Sequence, residues 1–116
     1  MTSEEILRLI ALPLPALRRK ARVPFRTLPS IPAVLEDMAD AILAEVRAGA
    51  RTGHPVRLIL PVGPVAHYRR VVEVSNREGL SWRHVHLFAM DEFLDWEGRP
   101  VPESHAVSFG GFLRRE

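Results

Sequence analysis

Between residues 32 and 49, Val34, Leu35, Met38, Ala41, Ile42 and Val46 recur at close to i, i+3, i+4, i+7 spacing, with acids on the other side. That period predicts an amphipathic helix. Ser30 is placed to cap it, Pro32 to sit in its first turn and Gly49 to stop it. Residues 50–55 read as a turn. Val56–Leu60 is a short apolar run and predicts a buried strand. A loop, Pro61–Pro64, turns around Gly63. A second amphipathic helix is expected over about Val65–Arg77, ending at Gly79, and a second strand over about His84–Ala89. An acidic turn, Met90–Asp95, and a Pro-rich loop, Trp96–Pro102, lead to a last helix over Ser104–Glu116.

Residues 1–31 read differently, as a basic, Pro-rich N-terminal extension to a domain over residues 32–116. Ser3 is placed to cap a short helix, Glu4–Ile10, with acids in its first turn. Pro13 and Pro15 interrupt the chain. Leu14, Leu17 and Ala21 then share one face of a second short helix that carries Arg18, Arg19 and Lys20. Pro24, Pro29 and Pro32 favour an extended path over Val23–Ile31.

The order helix, strand, helix, strand, helix is a β-α-β unit flanked by helices. It implies two neighbouring parallel strands joined by a right-handed crossover. Two strands make a poor sheet, and a parallel sheet is normally covered on both faces. The expected fold class is therefore α/β, a partial three-layer doubly wound parallel sheet, as the front part of a larger domain or a piece that needs a partner.

Composition narrows the chemistry. The chain is 47% hydrophobic and 26% charged, which suits a packed globule. It contains no Cys, so disulfides, thiolate metal sites and Cys nucleophiles are excluded. No apolar run is long enough to span a bilayer. Glu4 and Glu5 stand where a signal peptide would carry its basic region, so a cytoplasmic location is expected. The net charge of +2 is unevenly spread: residues 1–31 hold six cations against two acids, the rest ten against twelve. The basic character belongs to the extension. Nucleic acid is not the expected partner, because no recognition motif accompanies Arg18, Arg19, Lys20, Arg22 and Arg26.

In open α/β sheets, ligands bind beyond the carboxyl ends of the strands. Two loops occupy that rim here. In Pro61-Val62-Gly63-Pro64, Gly63 permits close backbone approach, and the helix N-terminus beyond it favours an anion. An ordinary tight strand-to-helix turn is the simpler account of the same residues. In Met90-Asp91-Glu92-Phe93, two adjacent carboxylates follow a buried strand. Partial desolvation there would raise a carboxyl pKa and make it a usable base, whereas a helix cap or an Arg partner would make it structural. His67, early in the second amphipathic helix, either points to a ligand or lies on a solvated face. His84 and His86 alternate along a strand without a third ligand at metal spacing, so no metal site is expected. His105 is placed to cap the last helix.

The stretch Val56-Arg-Leu-Ile-Leu-Pro-Val-Gly63, then Tyr68, then Glu78-Gly-Leu-Ser-Trp-Arg-His-Val-His-Leu-Phe-Ala-Met-Asp-Glu-Phe93 resembles the front half of the glucosamine-6-phosphate deaminase/isomerase family. That family shows a strand, a Pro-Thr-Gly loop and a helix, then a Ser-Phe-Lys-X-Val turn into a strand ending Asn-Met-Asp-Glu-Tyr. Ser108-Phe-Gly-Gly-Phe-Leu-Arg-Arg115 is similar to its Glu-Ser-Tyr-X-Ser-Phe-Met helix, and His105 to the His before it. The likeness runs from Val56 to Glu116.

The resemblance implies a sugar-phosphate isomerase of amino-sugar metabolism that needs no cofactor. Asp91 would remove the C2 proton of glucosamine 6-phosphate on the way to fructose 6-phosphate and ammonia. Glu92 would support the loop. Pro61, Val62 and Gly63 would meet the sugar phosphate through backbone N–H groups, with His67 or Tyr68 in place of the hydroxyls and the two residues that this shorter loop lacks. Asp95-Trp96-Glu97-Gly98-Arg99 is an insertion relative to the family. The family's later Gly-His-Ile-Ala-Phe-Asn-Glu-Pro element, whose His opens the sugar ring, is not among these residues. The 116 residues alone are thus expected to be weakly active or inactive. The implied partners are a phosphorylated amino sugar and either a second copy or the remaining half of such a domain, with no membrane. Two other classes fit the same superfold: a non-enzymatic sugar-phosphate sensor and a 6-phosphogluconolactonase-like hydrolase.

Overall fold

The computed structural model describes residues 2–63 and 65–115. Pro64 of the expected loop and Glu116 of the expected last helix lie outside the described residues. In chain order the elements are α1 (Ser3–Ile10), α2 (Leu14–Lys20), α3 (Ile31–Thr52), β1 (Val56–Leu60), α4 (Ala66–Glu78), β2 (Val85–Ala89) and α5 (Phe109–Arg115). The class is α/β: helices around a two-stranded parallel sheet.

The helix ends follow side-chain chemistry that the sequence placed only approximately. Thr2, not Ser3, caps α1, and Glu5 returns the bond to complete a capping box. Ser30 caps α3 through Ala33 N–H, as expected. Gly49 does not stop α3. It is buried inside the helix, where a Cβ would overlap the Val56 side chain and lie 2.8 Å from His84 Cδ2. The helix runs one turn further to Gly53, whose φ of 71° is the left-handed geometry a C-terminal glycine supplies. Gly79 ends α4 in the same way at φ 61°. The last helix is shorter than expected, because residues 103–107 form turns before Phe109.

β1 and β2 pair in parallel, with Val56 opposite Val85 and Leu60 opposite Ala89. Val56, Leu58 and Leu60 share one face with Val85 and Ala89. Against it α3 and α4 bring Ala39, Ile42, Leu43, Val46, Val71 and Val74 to form the core. Trp82 packs beside this cluster and donates its indole N–H to Ser75 Oγ at 3.0 Å. Arg47 of α3 forks onto the Glu78 carboxylate of α4, with Nη2 to Oε2 at 2.7 Å. His84 precedes β2, so it does not share the exposure of His86. Its ring Nε2 lies 2.9 Å from the Val46 carbonyl of α3.

The opposite sheet face carries Arg57, Ile59, His86 and Phe88, and it is open. Ile59 is 66% exposed and Phe88 51%. The short apolar run of β1, interrupted by Arg57, predicts a buried strand. In the described residues the helices cover one side only.

The extension stands off from this body. α1 buries no residue and neither does α2. The radius of gyration is 18.1 Å, against about 13 Å for a compact chain of this length. Among the described residues no helix is long and apolar enough to cross a membrane.

Candidate functional site

The rim where β1 and β2 end brings the two expected loops together. Met90 N–H donates to the Leu60 carbonyl at 2.9 Å, which extends the ladder one step past the strands. Pro61 and Met90 therefore leave the sheet side by side, on backbones about 4.8 Å apart, with Val62 and Asp91 one residue beyond. This juxtaposition follows from the parallel register.

The residues of the first loop differ in what they expose. Pro61 is half-buried and its carbonyl accepts a hydrogen bond from Tyr68 Oη. The Val62 side chain is buried in the body, so only its backbone can meet a ligand. Gly63 is exposed, and a Cβ there would meet nothing within 4 Å. α4 follows with Val65 at its N-cap and no side-chain cap. His67, in the first turn of α4, is buried to 1% exposure, its ring 3.9 Å from that of Tyr68. It does not open onto the rim and is not on a solvated face. Burial pushes the Tyr68 phenol up from its ordinary value.

Asp91 and Glu92 part company. Asp91 is exposed, and it makes no hydrogen bond or ion pair with any described residue. The expected desolvation does not occur, because a two-stranded rim has no third wall to cover it. Glu92 turns inward and holds the N-terminus of α5. Its carboxylate accepts from Gly110 N–H at 2.9 Å, Phe109 N–H at 3.0 Å and Ser108 Oγ–H at 3.0 Å, and from its neighbour Phe93 N–H at 2.9 Å. These donors, the Gly110 and Phe109 amides foremost, hold the Glu92 carboxyl at about 2 against an ordinary 4.5. Glu92 is thus spent on structure: it fixes α5 beneath the rim. Ser108 is buried beside it and accepts from Gly111 N–H at 3.0 Å.

The inserted segment after Asp91 folds into a tight hairpin. Leu94 and Pro100 form an antiparallel bridge, and Asp95 N–H bonds the Arg99 carbonyl at 2.8 Å. The Asp95 carboxylate accepts from the backbone N–H groups of Glu97 and Arg99, both at 2.9 Å, and from Arg99 Nε at 3.0 Å. The Arg99 amide is the main cause of the lowered Asp95 pKa. Trp96 rides on the tip, 90% exposed. The sequence marks the insertion but not its keystone. The signal was present in an Asp followed by a glycine three residues on, an Asx-turn pattern. Ser108 and Gly110 gave no comparable signal, because their partner, Glu92, lies 16 or more residues earlier.

Two concavities lie beside α4 instead. One, of about 310 Å³, sits between α4, β2 and α5 and is lined by Val71, Ser75, Leu87 and Phe112 among others. A second, of about 340 Å³, is lined by Val65, Arg69, Val72 and Phe112. Neither is lined by Asp91, Glu92 or Gly63. Among the described residues no group of three His, Asp or Glu side chains could hold a metal ion.

No family model matches the chain, and neither a curated protein nor a solved structure matches it at a significant level. The family likeness therefore rests on the residues quoted for it.

Proposed function

We propose that this rim is the base-bearing half of an aldose–ketose isomerase site of the glucosamine-6-phosphate deaminase type. One observation carries the reading. The parallel register sets Asp91, exposed and engaged by no described residue, beside the Gly63 turn and an α4 N-terminus without a side-chain cap. A carboxylate that stays unpaired is available as a base, and backbone amides at a helix start favour the phosphate of the same substrate.

In the open-chain sugar, C2 lies next to a carbonyl and its proton is acidic. Asp91 takes that proton, the enolamine is reprotonated at C1, and water replaces ammonia at C2 to leave fructose 6-phosphate. Glu92 keeps α5 seated under the rim, and the braced hairpin holds Trp96 on a rigid tip downstream of the same strand. The site belongs to a doubly wound, three-layer sheet of which these residues form the first part. The ring-opening His of the family is not among them, so turnover by this chain is slow.

The test isolates the half-reaction that Asp91 performs. Glucosamine 6-phosphate is incubated with the protein in D2O, and C2 proton exchange is followed by NMR beside release of ammonia and fructose 6-phosphate. Slow exchange is expected, reduced by about 10²-fold or more in Asp91→Asn, the lower end of a general-base contribution. Exchange at the same rate in wild type and Asp91→Asn would refute the assignment of the base. No exchange and no ligand-induced shift of the Gly63 amide would remove the proposed site.

A further inference from the structure

The N-terminal extension carries apolar surface that the body does not use. α1 buries no residue, and neither does α2. At about 100° per residue, Ile6, Leu7, Leu9 and Ile10 of α1 fall within one arc of about 160°. All four are exposed, Ile10 to 75% and Leu7 to 67%. Glu4, Glu5 and Arg8 occupy the opposite side and are satisfied there. Arg8 Nη2 bonds Glu4 Oε1 at 2.6 Å, and Glu5 closes the capping box with Thr2. The polar side of α1 therefore needs no partner, while its apolar side is left to solvent. Leu14 and Leu17 share one face of α2 and are exposed as well, as are Val23 and Phe25 beyond it.

Cations follow directly after this stripe. Arg26 pairs with Asp37 on α3, and Arg18 Nη2 bonds Thr27 Oγ1 at 2.6 Å, so two of them tether the extension to the body. Arg19, Lys20 and Arg22 make no hydrogen bond or ion pair with any described residue. Residues 1–31 hold six cations against two acids, and residues 32–116 hold ten against twelve. An anionic surface thus attracts the extension and repels the body. Duplex nucleic acid would engage the cations and leave the stripe bare. A bilayer containing anionic lipid engages both, with basic side chains at the headgroups and apolar ones at the acyl boundary. Eight helical residues span about 12 Å, well short of the ~30 Å hydrocarbon layer. α1 is therefore suited to lie in the interface and not to cross it.

We propose that the extension is a reversible anchor to the surface of membranes rich in anionic lipid. Ile6, Leu7, Leu9 and Ile10 seat at the acyl boundary, and Arg19, Lys20 and Arg22 lie on the headgroups. α1 is short and the free cations are few, so neither suffices alone; apolar burial and charge attraction act together. Because half of the attraction is electrostatic, salt releases the protein. The body hangs from the surface through the tethered segment before α3. This inference stands apart from the isomerase reading: it uses neither Asp91 nor Gly63, and it holds whatever covers the open face of the sheet.

The experiment is co-sedimentation with vesicles of phosphatidylcholine, alone or mixed with phosphatidylglycerol. Wild type is expected to sediment with the mixed vesicles at low salt, less as salt rises, and hardly at all with phosphatidylcholine alone. The double variant Leu7→Gln, Ile10→Gln should lower partitioning by about tenfold or more, since each change removes an apolar side chain from the acyl boundary. The triple variant Arg19→Gln, Lys20→Gln, Arg22→Gln should lower it by about tenfold or more on the mixed vesicles and flatten its salt dependence. α1 and α2 bury no residue, so both variants should keep the wild-type melting curve by circular dichroism. In wild type, with no substitution at all, mixed vesicles should slow amide exchange in α1 and leave β1 and α4 unchanged. No sedimentation with mixed vesicles at low salt overturns the proposal. So does binding that either variant leaves intact, or equal binding to phosphatidylcholine alone. Amide exchange in α1 that ignores the vesicles does the same. A protein that ignores vesicles but is retained on duplex DNA, with the Leu7, Ile10 variant retained equally, also overturns it.

Discussion

Replacing Gly49 with alanine tests how closely α3 lies on the sheet. In an exposed helix the change would stabilise, since alanine exceeds glycine in helix propensity by about 1 kcal/mol. Here the new methyl would overlap the Val56 side chain and stand 2.8 Å from His84 Cδ2. Neither neighbour yields cheaply. Val56 is β-branched and stiff at χ1, and the His84 ring is held by its contact with the Val46 carbonyl one turn earlier. Overpacking of this kind costs about 1–3 kcal/mol, and loosening the His84 contact adds about 0.5–1.5 kcal/mol. Set against the propensity gain, Gly49→Ala should destabilise by about 0.5–3.5 kcal/mol. Urea titration followed by circular dichroism and by tryptophan fluorescence measures this, with an unchanged m value as the sign that only stability moved. Gly53→Ala is the control. Nothing lies within 4 Å of its added Cβ, but φ is 71°, so its cost of about 1 kcal/mol is purely conformational. A Gly49→Ala protein more stable than wild type would refute the close approach and with it the seating of α3 across β1.

Further outcomes follow from contacts elsewhere in the fold. Glu92→Gln should free the start of α5, seen as faster amide exchange at Phe109, Gly110 and Gly111 with the rest of the fold unchanged. The Glu92 carboxyl is held at about 2 in the fold against an ordinary 4.5; its stabilisation is therefore full above about 4.5 and is lost as pH falls towards 2, so acid should release α5 in wild type and have no such effect in Glu92→Gln. Leu43 is almost fully buried at the centre of the core, and Leu43→Ala should cost about 2–5 kcal/mol in denaturant titration. Arg47→Met should cost no more than about 1 kcal/mol and less in high salt, since the Arg47–Glu78 fork is a third exposed on both sides.

What the sequence made legible was whatever short-range chemistry determines. The two strands, the crossover helix and the long helix before them are found where apolar spacing put them, and the adjacent parallel strands bring Pro61 and Asp91 to one rim. What stayed illegible depends on partners far along the chain. Gly49 and Gly53 look alike as helix stops. Only the approach of Val56 and His84 makes the first a packing glycine and leaves the second to end the helix. Asp91 and Glu92 are neighbours of the same chemistry, and either was a fair candidate for base or cap. The choice is made at residues 108–110, whose donors form a pocket that one carboxylate can fill. Once Glu92 occupies it, Asp91, beyond the end of β2, is left exposed at the rim. The availability of the proposed base is thus a consequence of its neighbour's capture. If Glu92→Gln releases α5, Asp91 should lose its fixed direction too, and C2 proton exchange should fall in that variant even though the base itself is intact.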